Sequence, residues 1–290
     1  MTQGRPFKRR PSNNLKGARR MAYEAILYDR HEHVAVITLN RPDRLNAISQ
    51  AIREEVHAAV QAAQDDDEVR ALIVTGAGDR GFCSGADLSG GAEARARAAA
   101  AQQTQGQKLD EIGWVGKWAR RFFYFDKPMI AAVNGIAAGA GMSMAMAADL
   151  RVGSEHSRFK SVFIERNFSP DSGLSYFLPR VIGYSRAADL IFTSRTVLAE
   201  EAYRLGLLDR LVPHASLVEE AVKVAAEMTG WPPLALRMSK RVLQHNFEAE
   251  FEDAIKYETV GLGLSRKAVN DQRESLLAFT EKRKPQYTGT

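Results

Sequence analysis

The hydrophobic positions of the chain follow strand and helix periods in turn. Two alternating stretches, Tyr23–Asp29 and Val34–Asn40, flank the polar residues 30–33 and predict two strands joined like a hairpin. Ser49 follows and predicts a helix N-cap, because the next apolar residues fall on one helical face: Ile52, Val56, Val60 and Ala63. The β-branched run Val69–Thr75 predicts another strand, so the order of elements indicates an α/β core. Periodicity alone does not separate a flat doubly wound sheet from other arrangements.

Two later segments share one local pattern, in which a strand enters a glycine-rich turn and then a helix. The first turn lies in Gly81–Leu88, and the second lies in Ala132–Val152 after the strand Met129–Gly135. Glycine and alanine leave the backbone N–H groups of a turn accessible to a ligand, and a helix start adds unpaired N–H groups. Two such turns facing each other would form an oxyanion hole, a pair of donors for a negatively charged oxygen.

The second half of the chain is helical in pattern. The stretch 199–206 predicts a helix that ends at Gly206, and the stretch 207–213 predicts a short strand. Three amphipathic helices are expected to follow, from about Ser216, Pro232 and Glu250.

Composition limits the class of protein. With 290 residues and 45% hydrophobic content, the chain can bury a large core. It has no run of about eighteen apolar residues and no apolar N-terminal stretch, so neither a membrane span nor a secretory signal is expected. The single cysteine, Cys83, excludes an internal disulfide and favours a cytoplasmic location.

The basic charge is concentrated at one end. Residues 1–20 contain seven Lys or Arg and no acid, which leaves 33 basic against 35 acidic residues elsewhere. We expect residues 1–21 to be a disordered basic leader, either a flexible segment or an extension upstream of a true start at Met21. A role on nucleic acid or an anionic surface is the weaker interpretation of this leader, and no nucleic-acid partner is expected.

Two further segments carry open interpretations. Ser89–Gln107 is rich in Ala, Gln, Arg and Gly without an apolar stripe, and is expected to be the most mobile part of the body. Beyond it, aromatic and apolar residues crowd one helical stretch and predict either core packing or the wall of a ligand pocket: Trp114, Val115, Trp118, Phe122, Phe123 and Phe125.

Five motifs in order resemble the crotonase superfamily, the enoyl-CoA hydratase and isomerase fold. The resemblance runs from about Met21 to the C-terminus and is carried by Asn40–Ile48, Gly81–Leu88, Ala132–Val152, Ser169–Gly183 and Ala278–Gly289. It implies an α/β fold with a spiral ββα core over residues 22–210. It also implies a C-terminal helical region, 211–290, that covers the pocket and forms a homotrimer or a hexamer made as a dimer of trimers.

The resemblance also implies the substrate, a thioester of coenzyme A, with no permanently bound cofactor or metal. The thioester oxygen would be held by the N–H groups of Ala86 and Ala140, where the family usually has glycine at the second position. Lys282 and Phe279 match positions that in relatives hold CoA bound to a neighbouring subunit. The other residues expected to contact substrate or CoA are Arg44, Leu45, Asn46, Ala47, Ser84, Gly85, Asp87, Leu88, Gly139, Gly141 and Phe163.

The resemblance further implies that both hydratase carboxylates are missing. Matching Gly139–Gly141 to the glycine triplet of the family puts Ser143 at the first glutamate position, and the next motif puts Phe163 at the second. General acid–base catalysis contributes on the order of 10²–10⁴ in rate, and phenylalanine supplies none of it. Efficient hydration is therefore not expected.

Asp171 occupies a position that carries a catalytic aspartate in dienoyl-CoA isomerases. One base suffices for isomerisation, so double-bond isomerisation is the expected reaction, with Asp171 as the base. The competing interpretation makes Asp171 the N-cap of the following helix. Glu165 is a weaker candidate for the base, because a solvated ion pair with its neighbour Arg166 is the expected role of its carboxylate. Asp110 and Glu111 are further candidates for the base.

Three other functions stay open at this point. Hydration with an unusual acid or base, and acyl-CoA binding without efficient catalysis, both fit the resemblance. A serine hydrolase would use Ser143 in a near G-x-S-x-G motif, with Asp189 and His214 following in order. Alanine replaces the last glycine of that motif and Ser143 falls inside the predicted helix, which disfavours this alternative. We interpret Cys83 as a small residue packed behind the first turn.

Overall fold

A computed structural model describes residues 23–91 and 103–290. The predicted leader, residues 1–21, and most of the segment predicted to be mobile, 89–107, lie outside the described residues.

Among the residues that the structure describes, six strands form the larger sheet, in the order β1-β2-β3-β5-β7-β10. The two alternating stretches form the predicted antiparallel hairpin, and the later pairs are parallel. Every residue of β3 and β5 is buried, as expected for strands covered on both faces. The strands are β1 (Ile26–His31), β2 (Val34–Leu39), β3 (Ala71–Gly76), β5 (Met129–Val133), β7 (Leu150–Ser154) and β10 (Arg210–Val212).

Four shorter strands form a second sheet in the order β4-β6-β8-β9. They are β4 (Gly81–Cys83), β6 (Ile136–Ala138), β8 (Arg158–Lys160) and β9 (Val197–Leu198). From β3 to β8 the chain alternates between the two sheets, and helices are inserted between successive turns of this path. This alternation is the spiral ββα arrangement, and it confirms the expected fold class over a flat doubly wound sheet.

The first helix shows why the local predictions succeed. Helix α1 (Gln50–Asp65) starts after Ser49, whose hydroxyl oxygen accepts the Ile52 N–H at 3.2 Å. The helices that follow are α2 (Gln105–Lys108), α3 (Gly113–Phe123), α4 (Ala140–Ala147), α5 (Leu174–Ile182), α6 (Tyr184–Thr193) and α7 (Ala199–Leu205). Helix α7 ends at Gly206, which has a φ of 85°, as predicted.

The C-terminal region has four helices within residues 211–290, where three were predicted. These are α8 (Leu217–Thr229), α9 (Pro233–Asn246), α10 (Phe251–Ser265) and α11 (Val269–Glu281). The helix predicted from about Glu250 is interrupted at residues 266–268, so that α10 and α11 are separate helices. The start of α11 is bound by the end of the chain, because the Thr290 carbonyl accepts the N–H groups of Asn270 and Asp271 at 2.8 and 3.2 Å. Because the contacting residue Thr290 is distant in sequence, no local pattern of residues predicts this interruption.

Two apolar clusters cover opposite faces of the larger sheet. The larger cluster joins the sheet to α1, α3, α4 and α5, and the smaller one packs α8 on its other face. Within the described ranges, no helix is both long and apolar enough to cross a membrane.

Candidate functional site

The first turn follows β4 and is held against the segment that precedes α1. The Ser84 N–H donates to the Leu45 carbonyl at 3.0 Å, and the Ile48 N–H donates to the Gly85 carbonyl at 2.8 Å. Gly85 has a φ of 90°, which favours glycine. Ala86, next in the chain, is exposed.

The second turn joins β6 to α4. Gly139 has a φ of 51°, and its N–H donates to the Lys160 carbonyl at 3.1 Å. Ala140 is the first residue of α4, so its N–H has no acceptor within the helix. A Cβ atom at Gly141 would lie 2.1 Å from the Cys83 carbonyl oxygen, so the backbone of α4 rests directly on β4.

The two turns touch. A Cβ atom at Gly85 would lie 2.8 Å from the Ala138 carbonyl oxygen and 3.5 Å from the Ala140 nitrogen. Within the described ranges, the N–H groups of Ala86 and Ala140 pair with no other backbone group. Two unpaired donors on touching turns are chemically suited to a developing oxyanion.

Asp171 lies in the loop before α5 and is half-buried. The Ser172 hydroxyl donates to its carboxylate Oδ1 at 2.9 Å, and the Ser143 Oγ lies 3.2 Å from its backbone carbonyl oxygen. Burial raises the pKa of the Asp171 carboxyl above its usual value, and the Ser172 hydrogen bond opposes that rise.

The carboxylate of Asp171 does not cap α5, so the competing interpretation is wrong. The residue before α5 is Gly173, with a φ of 84° and no side-chain cap. The Leu174 N–H donates instead to the Asp171 backbone carbonyl at 3.0 Å. The Asp171 carboxylate is therefore not engaged in capping the helix.

Ser143 and Phe163 both lie at the second turn. Ser143 is fully buried in α4, with its Oγ also 3.2 Å from the Gly139 carbonyl oxygen. Phe163 is only 6% exposed, and its ring Cζ lies 3.9 Å from where a Cβ of Gly139 would stand. Neither side chain carries a carboxylate. Sequence reasoning did not predict the strain at Val162, a β-branched residue with a φ of 59° beside the same glycine.

An ion pair that sequence reasoning missed joins the first turn to the segment that precedes α1. The Arg41 Nη1 lies 2.7 Å from Asp87 Oδ2 and donates to the Ala47 carbonyl at 2.9 Å. Hydrogen bonds from Ser89 and then from Arg41 lower the pKa of the Asp87 carboxyl to about 2. The Asp87 carboxylate, expected to contact CoA, is thus engaged within the chain.

The side chain of Asn46 holds neighbouring backbone segments together by hydrogen bonds. It is fully buried, its amide nitrogen donates to the carbonyls of Gly81 and Ala77 at 2.7 and 3.0 Å, and its Oδ1 accepts the Arg41 N–H at 2.9 Å. Asn46 was expected to contact substrate, and its side chain is engaged in these hydrogen bonds within the chain. Arg44, two residues earlier, is exposed.

The aromatic residues of α3, and Phe125 just after it, differ in how deeply they are buried. Trp118, Phe122 and Phe125 are buried in the core, which confirms packing for these three. Phe123 is partly buried and its ring centroid lies 5.6 Å from that of Tyr176 on α5.

Two of the other acidic candidates, Glu165 and Asp110, are paired with lysines. Glu165 Oε1 lies 2.6 Å from Lys160 Nζ, so its partner is Lys160 and not Arg166 as expected. Asp110 pairs with Lys117. These contacts lower the pKa of both carboxyls, Glu165 through Lys160 and Asp110 through Lys117.

The residues of a serine hydrolase do not come together. His214 Nδ1 lies 3.1 Å from Ser154 Oγ and its Nε2 lies 3.3 Å from Asp79 Oδ1, while Asp189 binds Arg195 at 2.9 Å. Burial raises the pKa of the Cys83 thiol to about 12, which leaves it inert at neutral pH. In the part of the chain that the structure describes, no three or more His, Cys, Asp or Glu side chains are grouped to hold a metal ion.

Comparison with known proteins gives consistent matches. The enoyl-CoA hydratase/isomerase family model matches residues 29–290. A crotonyl-CoA hydratase of Syntrophomonas wolfei is 34% identical over 268 residues, covering 92% of this chain and 99% of that protein. A short-chain-enoyl-CoA hydratase of Clostridium acetobutylicum is 33% identical over 264 residues, covering 91% and 97%. The crystal structure of an enoyl-CoA hydratase from Bacillus anthracis is similar with a TM-score of 0.82 and 30% identity, covering 92% of this chain and 100% of that one.

Two interleaved sheets with touching strand–turn–helix junctions define an α/β enzyme with a crotonase-type spiral. The chain belongs to the enoyl-CoA hydratase/isomerase family of the crotonase superfamily and is an enzyme of that type.

Proposed function

We propose that this enzyme moves a double bond in an acyl-CoA thioester, with Asp171 as its base. The observation that carries the proposal is the half-buried carboxylate of Asp171, a residue whose backbone is joined through Ser143 to the helix that starts at Ala140. The positions of Ser143 and Phe163 offer no second carboxylate to orient a water molecule.

The proton transfer is balanced without a co-reactant. The Asp171 carboxylate removes a proton from one carbon of the acyl chain, and the electron pair moves into the thioester to form an enolate. The N–H groups of Ala86 and Ala140 hydrogen-bond the enolate oxygen. Asp171 returns the proton at another carbon, so the mass of the thioester is unchanged. The raised pKa of the Asp171 carboxyl suits a group that both takes and returns a proton.

Coenzyme A enters this scheme as part of the substrate. The exposed Arg44 at the first turn supplies a cation for a CoA phosphate. Phe279, 86% exposed, and Lys282 at the end of α11 would contact CoA bound to a neighbouring copy of the chain. The proposal therefore includes a homotrimer, alone or paired into a hexamer.

Hydration is the second candidate, and the names of the two relatives favour it, because both are hydratases. It would need an acid or base outside the Ser143 and Phe163 positions. Binding of acyl-CoA without efficient turnover is the remaining alternative.

The test is incubation with 2-enoyl-, 3-enoyl- and dienoyl-CoA thioesters, followed by mass and ultraviolet analysis. Isomerisation leaves the mass unchanged, whereas hydration adds one water. Asp171→Asn should lower turnover by roughly 10² or more, because it keeps the size of the side chain and removes the base. Glu165→Gln is the matched control, since that carboxylate is exposed and paired with Lys160. Strong hydration by the wild type, unaffected by Asp171→Asn, would overturn the proposal.

A further inference from the structure

The Asp171 carboxylate has one side-chain donor within the described ranges, the hydroxyl of the next residue. We propose that Ser172 is a positioning residue, whose hydroxyl fixes the orientation of the Asp171 carboxylate and stabilises its ionised form. This inference rests on the proposed function, because it concerns the base of that reaction.

The backbone at Ser172 supports a need for this particular side chain. Ser172 has a φ of 52° and Gly173 a φ of 84°, so two consecutive residues are left-handed. Glycine or asparagine adopts this conformation more readily than serine. The hydroxyl group explains why serine occupies this strained position. Ser172 is only 3% exposed, and its hydroxyl donates to Asp171 Oδ1 at 2.9 Å.

The surrounding contacts leave the loop little freedom to move. Ser143 on α4 holds the Asp171 backbone carbonyl at 3.2 Å. On the other side, a Cβ atom at Gly173 would lie 2.4 Å from the Phe177 ring and 3.2 Å from the Ala119 Cβ, so α5 and α3 close on the loop. Ser143 therefore fixes the backbone of Asp171, while Ser172 fixes its carboxylate.

The groups that face Asp171 leave the Ser172 hydroxyl as the main influence that favours ionisation of its carboxyl. Helix α4 presents Ser143, and α3 and α5 reach the adjoining Gly173 with Ala119 and Phe177, none of which carries a charge at neutral pH. Burial raises the pKa of the Asp171 carboxyl, and the hydrogen bond from Ser172 lowers it. Removal of the hydroxyl would leave the effect of burial unopposed.

The experiment compares the full-length wild type with Ser172→Ala, Ser172→Gly and the matched control Ser143→Ala. The carboxyl of Asp171 is titrated by NMR in protein with ¹³C-labelled aspartate, and its signal is assigned by its loss in Asp171→Asn. The pH dependence of kcat/KM is measured on the same samples. Ser172→Gly relieves the left-handed strain while Ser172→Ala keeps it, so the pair separates the hydroxyl from the backbone, and the glycine variant serves if the alanine variant does not fold.

Both Ser172 variants should raise the titration midpoint by about one pH unit, as expected for the loss of a hydrogen bond to a charged group. The acidic limb of kcat/KM should move with it. Ser143→Ala should lower kcat and leave the midpoint in place. An unchanged midpoint in both Ser172 variants would overturn the inference. A midpoint that rises while the kcat/KM profile stays fixed would support the role of Ser172 and count against Asp171 as the base.

Discussion

The guanidinium of Arg41 lies 2.7 Å from the carboxylate of Asp87 and joins the segment before α1 to the residue that follows the exposed Ala86. Arg41 precedes the turn that leads into α1, and Asp87 follows the turn after β4. The pair is mostly shielded from solvent, and Arg41 also donates to the Ala47 carbonyl at 2.9 Å. The first turn is thus fixed by an ion pair between residues distant in sequence.

The hydrogen bonds that Asp87 accepts from Ser89 and from Arg41 predict a pH-dependent contribution to stability. The pKa of Asp87 falls from 3.8 to about 2 on folding. Its stabilisation is therefore complete above about pH 4 and is lost as the pH falls toward 2. Asp87→Asn should lower the free energy of unfolding by about 1–2 kcal/mol at pH 7. Denaturant unfolding of both proteins from pH 7 to pH 3 should show the difference shrinking; a difference independent of pH would contradict the prediction.

Gly141→Ala should disrupt the contact between the two turns. The new Cβ would meet the Cys83 carbonyl oxygen at 2.1 Å, and backbone on both sides leaves no flexible side chain to move away. We expect a loss of about 1–3 kcal/mol in the free energy of unfolding and reduced turnover. Gly106→Ala is the control, because its Cβ would have no neighbour within 4 Å, and its stability should change by less than about 0.5 kcal/mol. Equal stability of the two variants would contradict this packing argument.

Phe163→Glu should introduce hydration of 2-enoyl-CoA, detected as a gain of one water in the product. The new carboxylate would stand beside the second turn, where the wild type has a ring near Gly139. Burial of the carboxylate should lower the free energy of unfolding by about 2 kcal/mol or more. Phe168→Glu, at an exposed position five residues later, is the matched control and should gain no hydration. Equal gains in both variants would remove the special role of position 163.

The proposed assembly predicts a mass of three or six chains in light scattering. Large apolar side chains remain exposed on the last two helices, among them Phe251, Leu276 and Phe279. Exposed apolar surface of this kind is typical of an interface. Leu276→Ser with Phe279→Ser should weaken assembly, whereas Leu109→Ser, at an exposed apolar residue before α3, should not. A wild-type monomer at micromolar concentration would contradict the assembly and the CoA contacts of Phe279 and Lys282.

The elements with a local cause were predictable from sequence. The β1–β2 hairpin, the Ser49 cap and the end of α7 at Gly206 agree with the structure, because alternation, capping and a left-handed glycine act within a few residues. The family was also predictable, because five motifs occur in order along most of the chain.

The remaining features depend on contacts between distant residues. The break before α11 is held by Thr290, the real partner of Glu165 is Lys160, and Asn46 is buried by a strand thirty-five positions further on. The sequence by itself determined the local elements, the family and the two glycine turns. Only the tertiary structure decided that those turns touch, that Arg41 binds Asp87, and that Asp171 is held by Ser143 and Ser172 without capping a helix. The physical reason is that pairing across the fold is selected by packing and burial, which no local pattern of residues records.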